Sequence, residues 1–244
     1  MKMVCFSHAG GIAGYYTFLK KENIEDVSEV ILFEYPGRGR NASVSCYENF
    51  DKCIEDACQK IVGLGVLDEE FVLFGHSMGA FVAYETACRL QKDYKLHAFH
   101  VFLSGQKPPC RITPEHYKLC EESGMDFLKK LGGVPEVILE NQDISRFFLE
   151  ICAVDLRVLQ SYKPREADTA NRPMRGSIIC GDNDAEVAVE ELEDWKDYFE
   201  FPPTINVVSG THFYIQDRKK ELVGFLNEEL KKTKMIRMER NGKW

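Results

Sequence analysis

The 244-residue chain is predicted to form an α/β fold, a mostly parallel central sheet with helices on both faces. Three observations predict it. Apolar runs of strand length alternate with longer segments of helical period. The run Phe71–Phe74 leads directly into Gly75-His76-Ser77-Met78-Gly79, and a helix-like segment follows at once. Later strand-like runs end in loops that carry carboxylates and then a histidine. Such alternation gives parallel strands covered on both faces, joined by right-handed crossovers.

The expected strands, in order, are Met3–Phe6, Val30–Glu34, Phe71–Phe74, His97–Leu103, Gly176–Cys180 and Thr204–Val208. The expected helices are Gly14–Lys20, Tyr47–Leu64, Ala80–Gln91, Val189–Phe199 and Gln216–Lys231. One region breaks the rhythm, because no strand-like run occurs from Pro114 to Tyr162. It reads as short helices at Pro114–Glu122, Gly124–Leu131 and Pro135–Asn141, then a longer one at Ile144–Tyr162. Phe147, Phe148, Ile151, Val154, Leu156 and Val158 fill more than one narrow stripe of that last helix, so it is expected to touch neighbours on two sides. Helices inserted after a strand's carboxyl end lie over the site and form a lid. The expected organisation is one α/β domain over residues 1–230, with the lid at about 114–162 and a basic tail at 231–244.

Composition narrows the function. An apolar fraction of 44% and a charged fraction of 29% are those of a soluble globular protein. A net charge of -8 argues against nucleic acid, which demands a basic face. The nine cysteines are scattered without a C-x-x-C pair and read as reduced, mostly buried thiols. That fits a reducing cytosol. No Cys/His cluster has the spacing of a metal site. The apolar run at the start is too short for a signal peptide or a membrane span, so a cytoplasmic protein with no membrane partner is expected. The tail from Lys231, with Lys232, Lys234, Arg237, Arg240 and Lys243, is expected to be solvated or frayed.

The glycine-flanked Ser77 has the layout of a nucleophile elbow, a sharp strand-to-helix turn that holds the hydroxyl out at the carboxyl edge of the sheet. A serine needs a base, and the base needs an orienting acid. Of six histidines, His212 follows the last strand-like run, where catalytic groups gather in an open sheet. His76 adjoins the serine, and its side chain should diverge from it. Cys180-Gly181-Asp182-Asn183-Asp184 follows the preceding strand and offers two carboxylates. Asp182 could equally shape the turn, and position leaves Asp182 and Asp184 nearly level; Asp155 on the lid helix is a weaker third candidate. The order serine, acid, histidine is that of an α/β-hydrolase. An oxyanion hole needs two amide donors, one from Met78 and one from an early loop such as Ser7-His8-Ala9-Gly10-Gly11.

Together these residues resemble the type II (external, editing) thioesterases of polyketide and nonribosomal peptide assembly lines. The resemblance rests on Cys5–Gly11, on Tyr35-Pro36-Gly37-Arg38-Gly39-Arg40, on Gly75–Ala80, on Leu131–Pro135, on Gly181-x-x-Asp184 followed by Trp195, and on Gly210-Thr211-His212-Phe213. It implies an α/β-hydrolase fold with a helical lid, and Ser77, Asp184 and His212 as the triad. It favours Asp184 over Asp182 and assigns the oxyanion hole to the amides of Ala9 and Met78. The implied activity is hydrolysis of acyl thioesters on the phosphopantetheine arm of a carrier protein through an acyl-serine, with no metal or cofactor and as a monomer. Arg38, with His8 and Gly10, is the candidate contact for that arm; a structural ion pair is the competing expectation for Arg38 and Arg40. The chain departs from the family pattern at Ser7 and Thr211, at Asn41, and at Ala153-Val154-Asp155, where Arg-Ala-Asp is usual. Rival readings on the same fold are a carboxylesterase or lipase and an acyltransferase. A non-catalytic binding protein is a third, disfavoured because every triad role has a candidate.

Overall fold

The computed structural model describes residues 1–65, 69–113, 140–164 and 171–241, without the side chains of residues 240 and 241. All six expected strands are present: β1 (Lys2–Phe6), β2 (Glu29–Leu32), β3 (Phe71–His76), β4 (His100–Ser104), β5 (Gly176–Gly181) and β6 (Thr204–Val208). They form one sheet in the order β2-β1-β3-β4-β5-β6. Every pairing is parallel. β3, β4 and β5 are buried along their whole length. That explains why they read as continuous apolar runs rather than alternating ones.

The described α-helices are α1 (Phe50–Gly63), α2 (Met78–Arg89), α3 (Gln142–Gln160) and α4 (Lys219–Asn241). Asn49 caps α1 by accepting from the Lys52 amide, and Asn141 caps α3 by accepting from Asp143 and Ile144. The segments Ala13–Lys20 and Val189–Tyr198 wind as 3₁₀ helix rather than α-helix. The second of these seats Trp195 among Phe81, Tyr84 and Tyr198. Its indole N–H donates to the Gln106 carbonyl at 2.9 Å. The two faces of the sheet carry separate cores. Phe6, Phe81 and Trp195 lie in one, and Phe74, Phe102 and Leu226 in the other.

Two expectations need correcting or limiting. The C-terminal stretch is not frayed from Lys231 onward, because α4 continues to Asn241. Thr233 is buried in it, and Lys234 and Arg237 pair with Asp26 and Glu70. Its contacts come from distant parts of the chain, so local charge gave no sign of them. The short helices expected at 114–139, with Leu131–Pro135, fall outside the described residues. α3 is the part of the expected lid that is described. Leu156, Val158 and Leu159 are buried while Phe147 is exposed. Among the described residues no helix is long and apolar enough to cross a membrane.

The chain first winds from β1 to β2 and then returns past β1 to β3. The direction of winding therefore switches between β1 and β3. In open α/β sheets ligands bind outside the carboxyl ends of the strands at such a point. The loops Ser7–Gly11 and Gly75–Met78 meet there.

Candidate active site

β3 ends at His76 and α2 begins at Met78, so a single residue makes the turn. Ser77 makes it with φ 55° and ψ -118°, in the left-handed region that a side chain rarely enters. Such strain costs about 1–3 kcal/mol and persists only where the surroundings enforce it. Here the Ser77 amide donates to the Ser104 carbonyl at 2.8 Å, and its carbonyl accepts from Ala80 at 2.9 Å. The flanking glycines have a steric cause. A Cβ on Gly75 would sit 1.9 Å from the Gly79 oxygen, and one on Gly79 would sit 2.2 Å from the Phe6 oxygen. The first turn of α2 thus packs directly on the end of β1, with Met78 buried and Ser77 only half-buried.

The loops after β5 and β6 supply the other groups. His212 Nδ1 lies 2.8 Å from Asp184 Oδ2. Asp184 Oδ1 accepts from the Glu186 amide at 2.9 Å, and the Cys180 thiol approaches Oδ2 at 3.7 Å. Burial alone would raise the Asp184 pKa. The His212 hydrogen bond and charge, then the Glu186 amide and the Cys180 thiol, outweigh burial and hold it below the usual carboxylate value. A carboxylate only accepts, so the proton of neutral His212 sits on Nδ1 and its Nε2 lone pair is free to act as a base. Asp182 instead accepts from the Gly210 amide at 2.9 Å and shapes the loop. Burial, then the Asp184 charge, raises the Cys180 thiol pKa, so it stays protonated.

Gly105 brings the serine and histidine loops together. It follows Ser104, which anchors Ser77, and a Cβ on it would lie 3.5 Å from His212 Cε1. Two further histidines sit behind His212, and both stay neutral. The His76 ring centroid is 5.1 Å from that of His212. His76 Nδ1 meets Ser104 Oγ at 2.9 Å, and that hydroxyl meets Tyr214 Oη at 2.6 Å. His76 therefore turns away from the serine's open side. Burial, then His212 and His8, holds its pKa well below the ordinary value. His8 is bonded to Tyr16 Oη at 2.9 Å, and burial, then His212 and Arg38, lowers it to about 3.

The early loop reserves its donors. The Gly11 amide bonds the His8 carbonyl at 2.9 Å, and the Gly10 amide bonds Asp155 Oδ2 at 2.7 Å. The Ala9 amide takes part in neither bond. Arg38 does not face solvent, as contact with a phosphopantetheine arm would require. It is 2% exposed, and its guanidinium pairs with Asp155 through both nitrogens, Nη1 to Oδ2 at 2.6 Å and Nη2 to Oδ1. Asp155 is accordingly remote in function from the His212 ring. His8 Nδ1 and the Gly10 amide are likewise engaged, with Tyr16 and Asp155. The structural ion pair that competed as the expectation for Arg38 is what the structure shows, but Asp155, singled out for another role, was not foreseen as its partner.

A parallel sheet with a strained serine after β3, a carboxylate after β5 and a histidine after β6 defines an α/β-hydrolase. Within that class the chain belongs to the Thioesterase domain family, whose family model matches residues 1–230. It is 26% identical over 239 residues to "Thioesterase PikA5" of Streptomyces venezuelae, covering 96% of this chain and 82% of that protein. It is 27% identical over 225 residues to the rat "S-acyl fatty acid synthase thioesterase, medium chain", covering 90% and 83%. RedJ, a thioesterase from the prodiginine pathway of Streptomyces coelicolor, shares the fold at TM-score 0.84 and 23% identity, covering 94% of this chain and 90% of that one. ClbQ, from the colibactin NRPS/PKS pathway, shares it at TM-score 0.85 and 23% identity, covering 96% and 98%.

Proposed function

We propose that the protein hydrolyses acyl thioesters held on the phosphopantetheine arm of carrier proteins, as an editing or releasing enzyme of polyketide or nonribosomal peptide assembly. The family supplies the thioesterase activity. The names of relatives, which place them in polyketide synthesis and fatty acid synthesis, support a carrier-bound acyl group. The observation that carries the mechanism is the 2.8 Å contact of His212 Nδ1 with a charged, buried Asp184, taken with the strained turn at Ser77, whose neighbour His76 packs near the His212 ring.

His212 Nε2 takes the Ser77 proton as Oγ attacks the thioester carbonyl. Asp184 holds the tautomer and stabilises the imidazolium that forms. The amides of Ala9 and Met78 receive the oxyanion, with the positive end of α2 behind Met78. On collapse the carbon–sulfur bond breaks, the thiol leaves with the proton from His212, and an acyl-serine remains. Water then attacks, giving its proton to His212. The acid departs, and Ser77 recovers its proton. The residues of this chain carry every step.

Intact-mass spectrometry of an acyl-loaded carrier protein tests this reading. Wild-type protein should return the carrier to its free-thiol mass, and the Ser77→Ala variant should leave the acyl mass in place. Equal deacylation by the two proteins would refute it. A matched oxygen ester turned over faster than the thioester would favour an esterase instead.

A further inference from the structure

The loop proposed to bind the oxyanion is held from outside the catalytic triad. Its middle residue, Ala9, lies between two fixed peptide planes. The His8–Ala9 plane is fixed because the His8 carbonyl accepts from the Gly11 amide at 2.9 Å. In a trans peptide the carbonyl and N–H point in opposite directions, so that bond also aims the Ala9 N–H. The Ala9–Gly10 plane is fixed by the Gly10 amide, which donates to Asp155 Oδ2 at 2.7 Å. Gly10 has φ +77°, and a Cβ on it would lie 3.1 Å from Phe148 Cζ and 3.2 Å from Cys152 Cβ. α3 therefore lies against the loop and reaches it with a single carboxylate.

Arg38 locks that carboxylate in place. Nη1 donates to Asp155 Oδ2 at 2.6 Å and to the Gly11 carbonyl at 3.2 Å, while Nη2 meets Oδ1. Nε donates to the Pro36 carbonyl at 3.4 Å. Ser7 Oγ also donates to the Gly11 carbonyl at 3.2 Å, and Tyr35 Oη donates to the Ser7 carbonyl at 3.2 Å. The Arg38 and Asp155 side chains are 2% and 7% exposed. A buried ion pair is poor evidence of stability, since apolar residues of similar volume do as well or better. Its geometry is more informative, because both partners bond the oxyanion loop itself.

We infer that Asp155 and Arg38 are positioning residues that clamp the Ser7–Gly11 loop from helix α3, so that the Ala9 amide is aimed before substrate arrives. The inference rests on the thioesterase reading and on Ala9 as an oxyanion donor. It ties the position of α3 to the chemistry, because a shift of α3 would carry the Gly10 amide with it. A clamp of this kind acts on the transition state rather than on substrate affinity.

Two double variants test it without leaving a lone buried charge. Arg38→Met with Asp155→Asn keeps an acceptor for the Gly10 amide. Arg38→Met with Asp155→Leu removes it. The expected result is a kcat about tenfold or more lower in the Leu pair than in the Asn pair, with KM within about twofold. Equal kcat in the two folded variants, or a difference confined to KM, would overturn the inference. Wild-type and Ser77→Ala protein run beside them show separately whether the thioesterase reading holds. Amide hydrogen exchange on the wild-type protein provides an arm independent of activity and of variant folding. The Gly10 amide should be protected, and exchange at the rate of an open loop would contradict the clamp.

Discussion

Among the described residues, a histidine meets a carboxylate near a serine at the carboxyl edge of the sheet and again at the amino edge, and the two groups are bonded in opposite senses. At the carboxyl edge the carboxylate of Asp184 touches His212, which leaves the other ring nitrogen free to accept a proton. At the amino edge Ser177 Oγ donates to Glu229 Oε2 at 3.1 Å, so His100 Nε2 must donate to Ser177 at 2.8 Å. Thr233 Oγ1 then gives its hydrogen to His100 Nδ1 at 2.9 Å. The proton chain there runs from histidine to serine, the reverse of what nucleophile activation needs. Ser177 is also 0% exposed, whereas Ser77 is half-buried on a strained turn. Both clusters combine a serine, a histidine and a carboxylate, Asp184 in one and Glu229 in the other. The direction of the hydrogen bonds and the loop that presents the hydroxyl separate the proposed nucleophile Ser77 from Ser177.

Replacing the two serines gives the largest contrast. Ser77→Ala should lower kcat by about 10⁴-fold or more in a carrier-thioester assay. Ser177→Ala should keep kcat within about threefold and cost about 1–3 kcal/mol of stability by denaturant unfolding, because it leaves His100 and Glu229 short of a partner. The acids differ next. Asp184→Asn should lower kcat by about 10⁴-fold through the wrong histidine tautomer, at little change in KM. Asp182→Asn still offers an acceptor to the Gly210 amide and should keep kcat within about tenfold.

The smallest effect concerns protons. Burial, then Arg175, lowers the His100 pKa from 6.5 to about 3. In that window the unfolded chain binds a proton that the folded chain refuses, so stability falls as pH drops from about 6.5 toward 3. Each such histidine contributes up to about 1.4 kcal/mol per pH unit. His100→Gln should reduce the slope of unfolding free energy against pH by about one proton, while thioester hydrolysis persists. An unchanged slope would show that His100 is not held neutral.

The amino-edge cluster was invisible in the sequence, and the reason is physical. His100, Ser177 and Thr233 come from two strands and a helix, and no local pattern announces their meeting. The strands were legible because β3, β4 and β5 are buried on both faces and read as apolar runs. The elbow was legible because steric crowding demands glycine at positions 75 and 79. The choice between Asp182 and Asp184 was not legible from position. Both lie in one turn; the resemblance favoured Asp184, and the fold shows that Asp184 reaches His212 while Asp182 reaches the Gly210 amide. For Arg38 the sequence left an anion contact and a structural ion pair both open, for a similar reason. A basic residue in a glycine-rich loop fits either role until its buried partner, 117 residues away along the chain, is seen.

The most direct measurement is labelling of the folded protein with a serine-directed fluorophosphonate, followed by peptide mapping. One adduct should form, on Ser77, with Ser177 unmodified, and His212→Ala should slow its formation. An adduct on any other residue, or none at all, would contradict the assignment of Ser77 as the nucleophile.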